Sequence, residues 1–124
     1  MLHRLLETHL TTIEAAVTQL QNIQIGRYLE EVLSPDRLNL RIRIRFSNGN
    51  LLEISKAMQV IAENIVWLDY RYHYQNAQNQ LIFRYDNTPH FPDLPTFPDH
   101  KHLPNAVIAS EKPPLLRVLQ EATA

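Results

Sequence analysis

The residues best suited to chemistry lie between Arg84 and Pro104: His90, Asp93, His100 and His102, with Asp86 and Asp99 close by. Two imidazoles near neutral pKa can divide proton donation from proton abstraction, which is what metal-free phosphodiester cleavage needs. Such chemistry also needs a cation over the phosphate, and Arg84 stands in the same stretch. Imidazole and carboxylate are equally the donors of a zinc or manganese site when cysteine is missing. His100-x-His102 sets two imidazoles on one side of an extended segment. No flanking spacing matches a zinc signature, and His and Asp in Pro-rich loops also cap turns. The candidate catalytic set is therefore His90, His100, His102, Arg84 and Asp86, with no metal and no cofactor assigned.

A second constellation is basic. Arg41, Arg43 and Arg45 alternate along one segment, and Arg71 with His73 shares one parity of another. Arginine forks grip phosphate well, so these five residues are the candidate binding set. Tyr70, Tyr72, Tyr74 and Tyr85 offer stacking surfaces for unpaired bases. The competing reading is a solvated, charge-balanced sheet face, with Glu30, Glu53, Asp69 and Asp86 neutralising the arginines. Other chemistries find no support. Gly26 and Gly49 are the only glycines, so no Gly-rich loop cradles a phosphate, and no serine sits in a nucleophile elbow. Without cysteine there is no thiol nucleophile and no disulfide.

These side chains need a scaffold. Leu2, Leu6, Leu10, Ile13, Val17 and Leu20 recur at steps of three and four, which predicts an amphipathic helix over residues 2–20. From Ile25 the period becomes two, predicting strands at 25–33, 38–46, 50–61, 65–75 and 80–86. The second strand is the clearest, with Leu38, Leu40, Ile42, Ile44 and Phe46 on one face and Arg41, Arg43 and Arg45 on the other. Ser47-Asn48-Gly49 reads as a three-residue hairpin loop that places Arg43 opposite Glu53. Residues 55–62 are also compatible with a helix, but the hairpin pattern runs through them. Residues 86–104 carry five of the eight prolines and three of the six histidines, and proline at every third position from Pro89 to Pro98 excludes helix and interior strand. A short helix is expected near Pro113–Glu121. The expected architecture is α+β: a five-strand antiparallel meander, an N-terminal helix packed on one face, a short C-terminal helix and a long Pro/His-rich loop.

Length and composition set outer bounds. The 124 residues fit one domain, spanning 1–124. A net charge of −1 confines any nucleic-acid binding to a local patch. Arg4, Glu7 and Glu14 interrupt the opening segment, so no signal peptide is expected, and no stretch suits a membrane span. A cytoplasmic location is the expectation.

Three runs carry a family resemblance: Trp67-Leu68-Asp69-Tyr70-Arg71-Tyr72-His73-Tyr74-Gln75, Phe83-Arg84-Tyr85-Asp86-Asn87-Thr88-Pro89-His90 and Thr96-Phe97-Pro98-Asp99-His100-Lys101-His102. With these the chain resembles the TumE family, small bacterial toxin components of two-gene toxin–antitoxin systems. The likeness extends from about Ile25 to the end. It implies an antitoxin protein as partner and a growth-inhibiting activity, and His90, His100, His102, Arg84 and Asp86 are the motif positions it would engage. Two functions follow as expectations: a toxin acting on RNA through the 84–104 segment, or a non-catalytic module that binds protein or nucleic acid. A homodimer through a sheet edge is a further expectation.

Overall fold

A computed structural model describes all residues 1–124. Helix α1 (Arg4–Thr18) leads into β1 (Ile23–Ser34), β2 (Arg37–Phe46), β3 (Leu51–Ile61), β4 (Asn64–Gln75), β5 (Leu81–Asp86), β6 (His100–Leu103) and β7 (Ala106–Ala109), and α2 (Leu115–Thr123) closes the chain. All neighbouring strands pair antiparallel in sequence order, so the sheet is a meander with β1 and β7 at its edges. The expected five strands are seven. His100–Leu103 and Ala106–Ala109 form a hairpin that extends the sheet, so the irregular segment shrinks from 84–104 to residues 87–99. Prolines concentrate at 89–98 and at 104, sparing both short strands.

Turn chemistry sets the register. At Gly49 φ is +90°, and an added Cβ would stand 2.7 Å from the Ala77 Cβ, so both backbone shape and space require glycine there. The hairpin it closes pairs Arg43 with Glu53, Ile44 with Leu52 and Ile42 with Ile54, as the loop length predicts. Residues 51–61 form a strand, not a helix. Ala62 and Glu63 both have positive φ, the signature of a tight type I′ turn between β3 and β4.

One face of the sheet is covered. Leu38, Leu40, Ile42 and Ile44 of β2 and Leu52, Ile54, Met58 and Val60 of β3 meet Leu6, Ile13 and Val17 of α1 and Leu115, Val118 and Leu119 of α2 in a single cluster of buried side chains. Burying a Leu or Ile fully stabilises by roughly 1.5–3 kcal/mol, so this cluster supplies the main cohesion. Tyr70, Tyr72, Tyr74 and Tyr85 belong to it, none more than 6 % exposed. They are core residues, and the expected base-stacking platform is absent. The cause is parity, since they share the covered face with Phe83. Their hydroxyls tie in the C-terminal helix: Tyr74 donates to the Ala122 carbonyl at 2.9 Å and Tyr85 to Glu121 at 2.6 Å.

The covered face also holds a lysine. Lys56 is 2 % exposed, has no carboxylate within ion-pair distance, and rests its ammonium 4.7 Å from the Trp67 ring centre. Lys112 lies over the same ring at 3.7 Å. Burial, reinforced by Lys112, pulls the Lys56 pKa from 10.5 down to about 7. Beside them His9 packs edge-on to Trp67 at 5.0 Å, and burial lowers its pKa to about 4. No helix is long and apolar enough to cross a membrane.

Candidate functional site

The uncovered face carries the polar residues in two rows. Cross-strand pairing aligns Arg41, Ser55, Arg71, Asp86 and His100 from β2 to β6, and beside them Arg43, Glu53, His73, Arg84 and His102. Strand periodicity places each residue on this face, and the hairpin registers bring the rows into line. The β2–β5 part forms an open groove of 720 Å³ lined by Arg41, Arg43, Arg71, His73 and Arg84. Arg45 lies at the end of β2, where it donates to the Gly49 carbonyl at 3.0 Å, and it does not line the groove. Arg27 joins the groove from β1. Simple alternation groups Arg27 with Ile25. A bulge at Gly26 separates them, turning Ile25 toward Ile44 and Arg27 toward Arg43.

None of the groove arginines has a carboxylate within 4.0 Å. The charge-balancing expected of Glu53, Asp69 and Asp86 does not take the form of ion pairs, although Glu53 is the Cα partner of Arg43. Glu30 shares the parity of Leu40, toward the covered face. The groove is therefore a locally cationic surface on a chain of net charge −1.

At the β5–β6 end of the rows, Asp86, His100 and His102 converge. Their candidate donor atoms all lie within 4.8 Å of one another. His100 Nε2 is 2.9 Å from Asp86 Oδ1 and 3.1 Å from His102 Nε2. His102 Nε2 is 3.4 Å from Asp86 Oδ2. Asp86 and His100 are buried, at 4 % and 1 % exposure, while His102 reaches solvent. His100 Nδ1 lies 2.9 Å from the Pro98 carbonyl, which accepts only if that nitrogen carries the proton. Asp86 Oδ1 also accepts from the Thr88 amide at 3.0 Å. Phe91, from the 87–99 segment, packs edge-on against His100 at 4.9 Å and His102 at 5.8 Å. Burial lowers the His102 pKa against the opposing pull of Asp86, with His100 and Arg84 lowering it further.

Next to this cluster Arg84 donates from Nε to His73 Nδ1 at 3.0 Å. That bond leaves the His73 proton on Nε2, facing Gln75 Oε1 at 2.9 Å. Burial pushes the His73 pKa down, with Gln75 opposing and the Arg84 charge assisting, so His73 is a neutral imidazole that orients the guanidinium. Of the five sequence-expected catalytic residues, the fold assembles Asp86, His100, His102 and Arg84. His90 is exposed on the 87–99 segment, outside the cluster. Phe91 is not among the candidate site residues, and the signal for it is an apolar side chain in a Pro-rich stretch, which marks an anchor and here meets the imidazoles.

No curated protein and no solved structure matches the chain. The family model described as Toxin TumE matches residues 12–124, which takes in the whole sheet, the Asp86–His100–His102 cluster and α2. The chain belongs to the TumE toxin family.

Proposed function

We propose that this toxin-family chain acts on RNA, holding the phosphate backbone in the arginine groove and reacting at Asp86, His100 and His102. The observation that carries the reading is the convergence of those three side chains at the end of a groove whose arginines have no carboxylate partner. Arg41, Arg43 and Arg71 would bind successive phosphates. Arg84, oriented by His73, would hold the phosphate under attack, where its charge counts most as negative charge develops. His102, half open to solvent beside buried His100, is the group placed to exchange protons with substrate. Phe91 shields the imidazoles on one side. His90 has no part in this scheme. An antitoxin protein as partner follows from the family's character, and covering the groove would be enough to neutralise such a toxin.

The test is inducible expression in bacteria without an antitoxin, scored for growth arrest and RNA decay. The wild-type chain is expected to stop growth and shorten RNA. His102→Ala is expected to abolish both while its thermal midpoint stays near the wild-type value, because its imidazole is partly exposed. Undiminished toxicity in His102→Ala with Arg84→Ala would sink the reading and favour a non-catalytic binding protein.

A further inference from the structure

We infer that Asp86, His100 and His102 form a binding site for one divalent transition-metal ion, with zinc as its reference occupant. This deepens the reading of the same cluster as the reacting centre, replaces proton exchange at His102 by metal ligation, and rests on three geometric observations.

The first is spacing. Nitrogen and oxygen donors sit ~2.1 Å from such an ion, so neighbouring donors in octahedral or tetrahedral geometry stand about 3.0–3.4 Å apart. His100 Nε2 stands 2.9 Å from Asp86 Oδ1 and 3.1 Å from His102 Nε2, and His102 Nε2 stands 3.4 Å from the other carboxylate oxygen, Oδ2. With one donor atom per residue the three lie within 4.8 Å of one another, so a small turn of the carboxylate would set them on one face of a coordination polyhedron.

The second is the proton count. His100 bonds the Pro98 carbonyl through Nδ1, which aims Nε2 into the cluster. There it meets a carboxylate oxygen and His102 Nε2. Imidazole nitrogens and a carboxylate facing one another need a positive charge among them, a shared proton or a bound cation, and titration with a metal ion separates the two. A histidine that gives its other N–H to a backbone carbonyl is also how proteins fix metal-ligating imidazoles.

The third is placement. The donors come from two paired strands, so no loop has to close to assemble them. The His102 side chain is 25 % exposed, which leaves an entry path for an ion on the side away from Phe91. Three protein donors with open positions is the pattern of catalytic rather than structural sites. The ligand set is two imidazoles and one carboxylate, which excludes a thiolate-selective occupant and fits zinc, manganese or iron(II).

The experiment is titration of the purified, metal-stripped chain with Zn²⁺ by calorimetry at pH 7.5, and with Co²⁺ by visible absorption. Expected is a single site with a Kd of about 1 µM or tighter, Co²⁺ bands that Zn²⁺ displaces, and weakening in acid, because ion and protons compete for the same donors. His102→Ala and Asp86→Asn, each checked for an unchanged fold, should raise the Kd about 100-fold or more. The Co²⁺ spectrum needs no variant. Absence of a 1:1 isotherm in the wild-type chain, or an isotherm that His102→Ala leaves unchanged, overturns the inference. Metal binding by a chain that leaves RNA intact sinks the RNA reading alone, and RNA decay by a chain that binds no metal sinks this one alone.

Discussion

Replacing Lys56 by Met should make the protein more stable, and by an amount that depends on pH. The lysine is buried against Trp67 and Tyr72 without a carboxylate partner. Its neighbours are Lys112, whose pKa burial lowers to about 8, and His9 across the Trp67 ring. A pKa displaced from 10.5 to about 7 corresponds to ~5 kcal/mol of cost for keeping the charge in the folded state. The folded pKa lies below the unfolded one, so the unfolded chain binds more protons between about pH 7 and 10.5, and stability rises with pH across that window. The cost is fully present below about pH 7. Methionine matches the lysine stem in length and carries no charge. Lys56→Met should therefore gain about 4 kcal/mol at pH 7, and the gain should shrink by about 2 kcal/mol by pH 9. Urea unfolding of both proteins at the two pH values measures this. Comparing variant with wild type at each pH cancels the titration of groups not coupled to Lys56, and the range avoids the His9 window below 6.5 and tyrosine ionisation above about 10; Lys112, which titrates near 8 beside Lys56, is held constant by making the comparison in a Lys112→Met background. An advantage of equal size at both pH values, or a less stable variant at pH 7, refutes the reasoning.

Other outcomes follow from the same geometry. Tyr72→Phe should be neutral or slightly stabilising, because the Tyr72 hydroxyl is buried without a partner, whereas Tyr74→Phe should cost ~1 kcal/mol by releasing the Ala122 carbonyl; thermal melts separate the two. Glu53→Ala should change stability by less than about 1 kcal/mol, and RNA affinity measured at low salt should rise as a negative charge leaves the groove. Arg43→Ala with Arg71→Ala should lower RNA affinity and flatten its dependence on salt by about 0.7 per lost phosphate contact, read from a fluorescence-anisotropy salt series.

The scaffold was legible where local rules are strict. Alternation in β2 and the length of the Ser47–Gly49 loop together determine the Arg43–Glu53 register. The last two strands escaped because four residues are too few to show a period, and prolines at 98 and 104 bracket His100–Leu103 closely. His100-x-His102 was nonetheless read as sharing one side, since alternation holds in any extended chain. Asp86 joins them only through the β5–β6 pairing, a non-local contact that local sequence does not encode. Which face the β4 tyrosines would take was undetermined: alternation sorts residues into two sets without saying which set meets the helices. The bulge between Ala57 and Met58 adds a shift that no turn residue announces.

Asp86 and His100 are Cα partners, so the excursion between them leaves and re-enters the sheet at adjacent points. Its ends are held by strand pairing whatever lies between, and lengthening a flexible connection is cheap, about 0.6 kcal/mol per doubling. The segment 87–99 can therefore change in length between its Thr88 and Pro98 contacts while the three donors keep their spacing. Single-residue insertions within β5 cannot be absorbed so cheaply, since a one-residue slip would turn Asp86 to the opposite face. The fold thus separates a part whose length is tolerant, which brings Phe91 and the Pro98 carbonyl to the imidazoles, from a part whose length is locked. A chain with 87–99 replaced by a Gly/Ser linker should still fold with β5 and β6 paired, and loss of that pairing by NMR would contradict this division of labour.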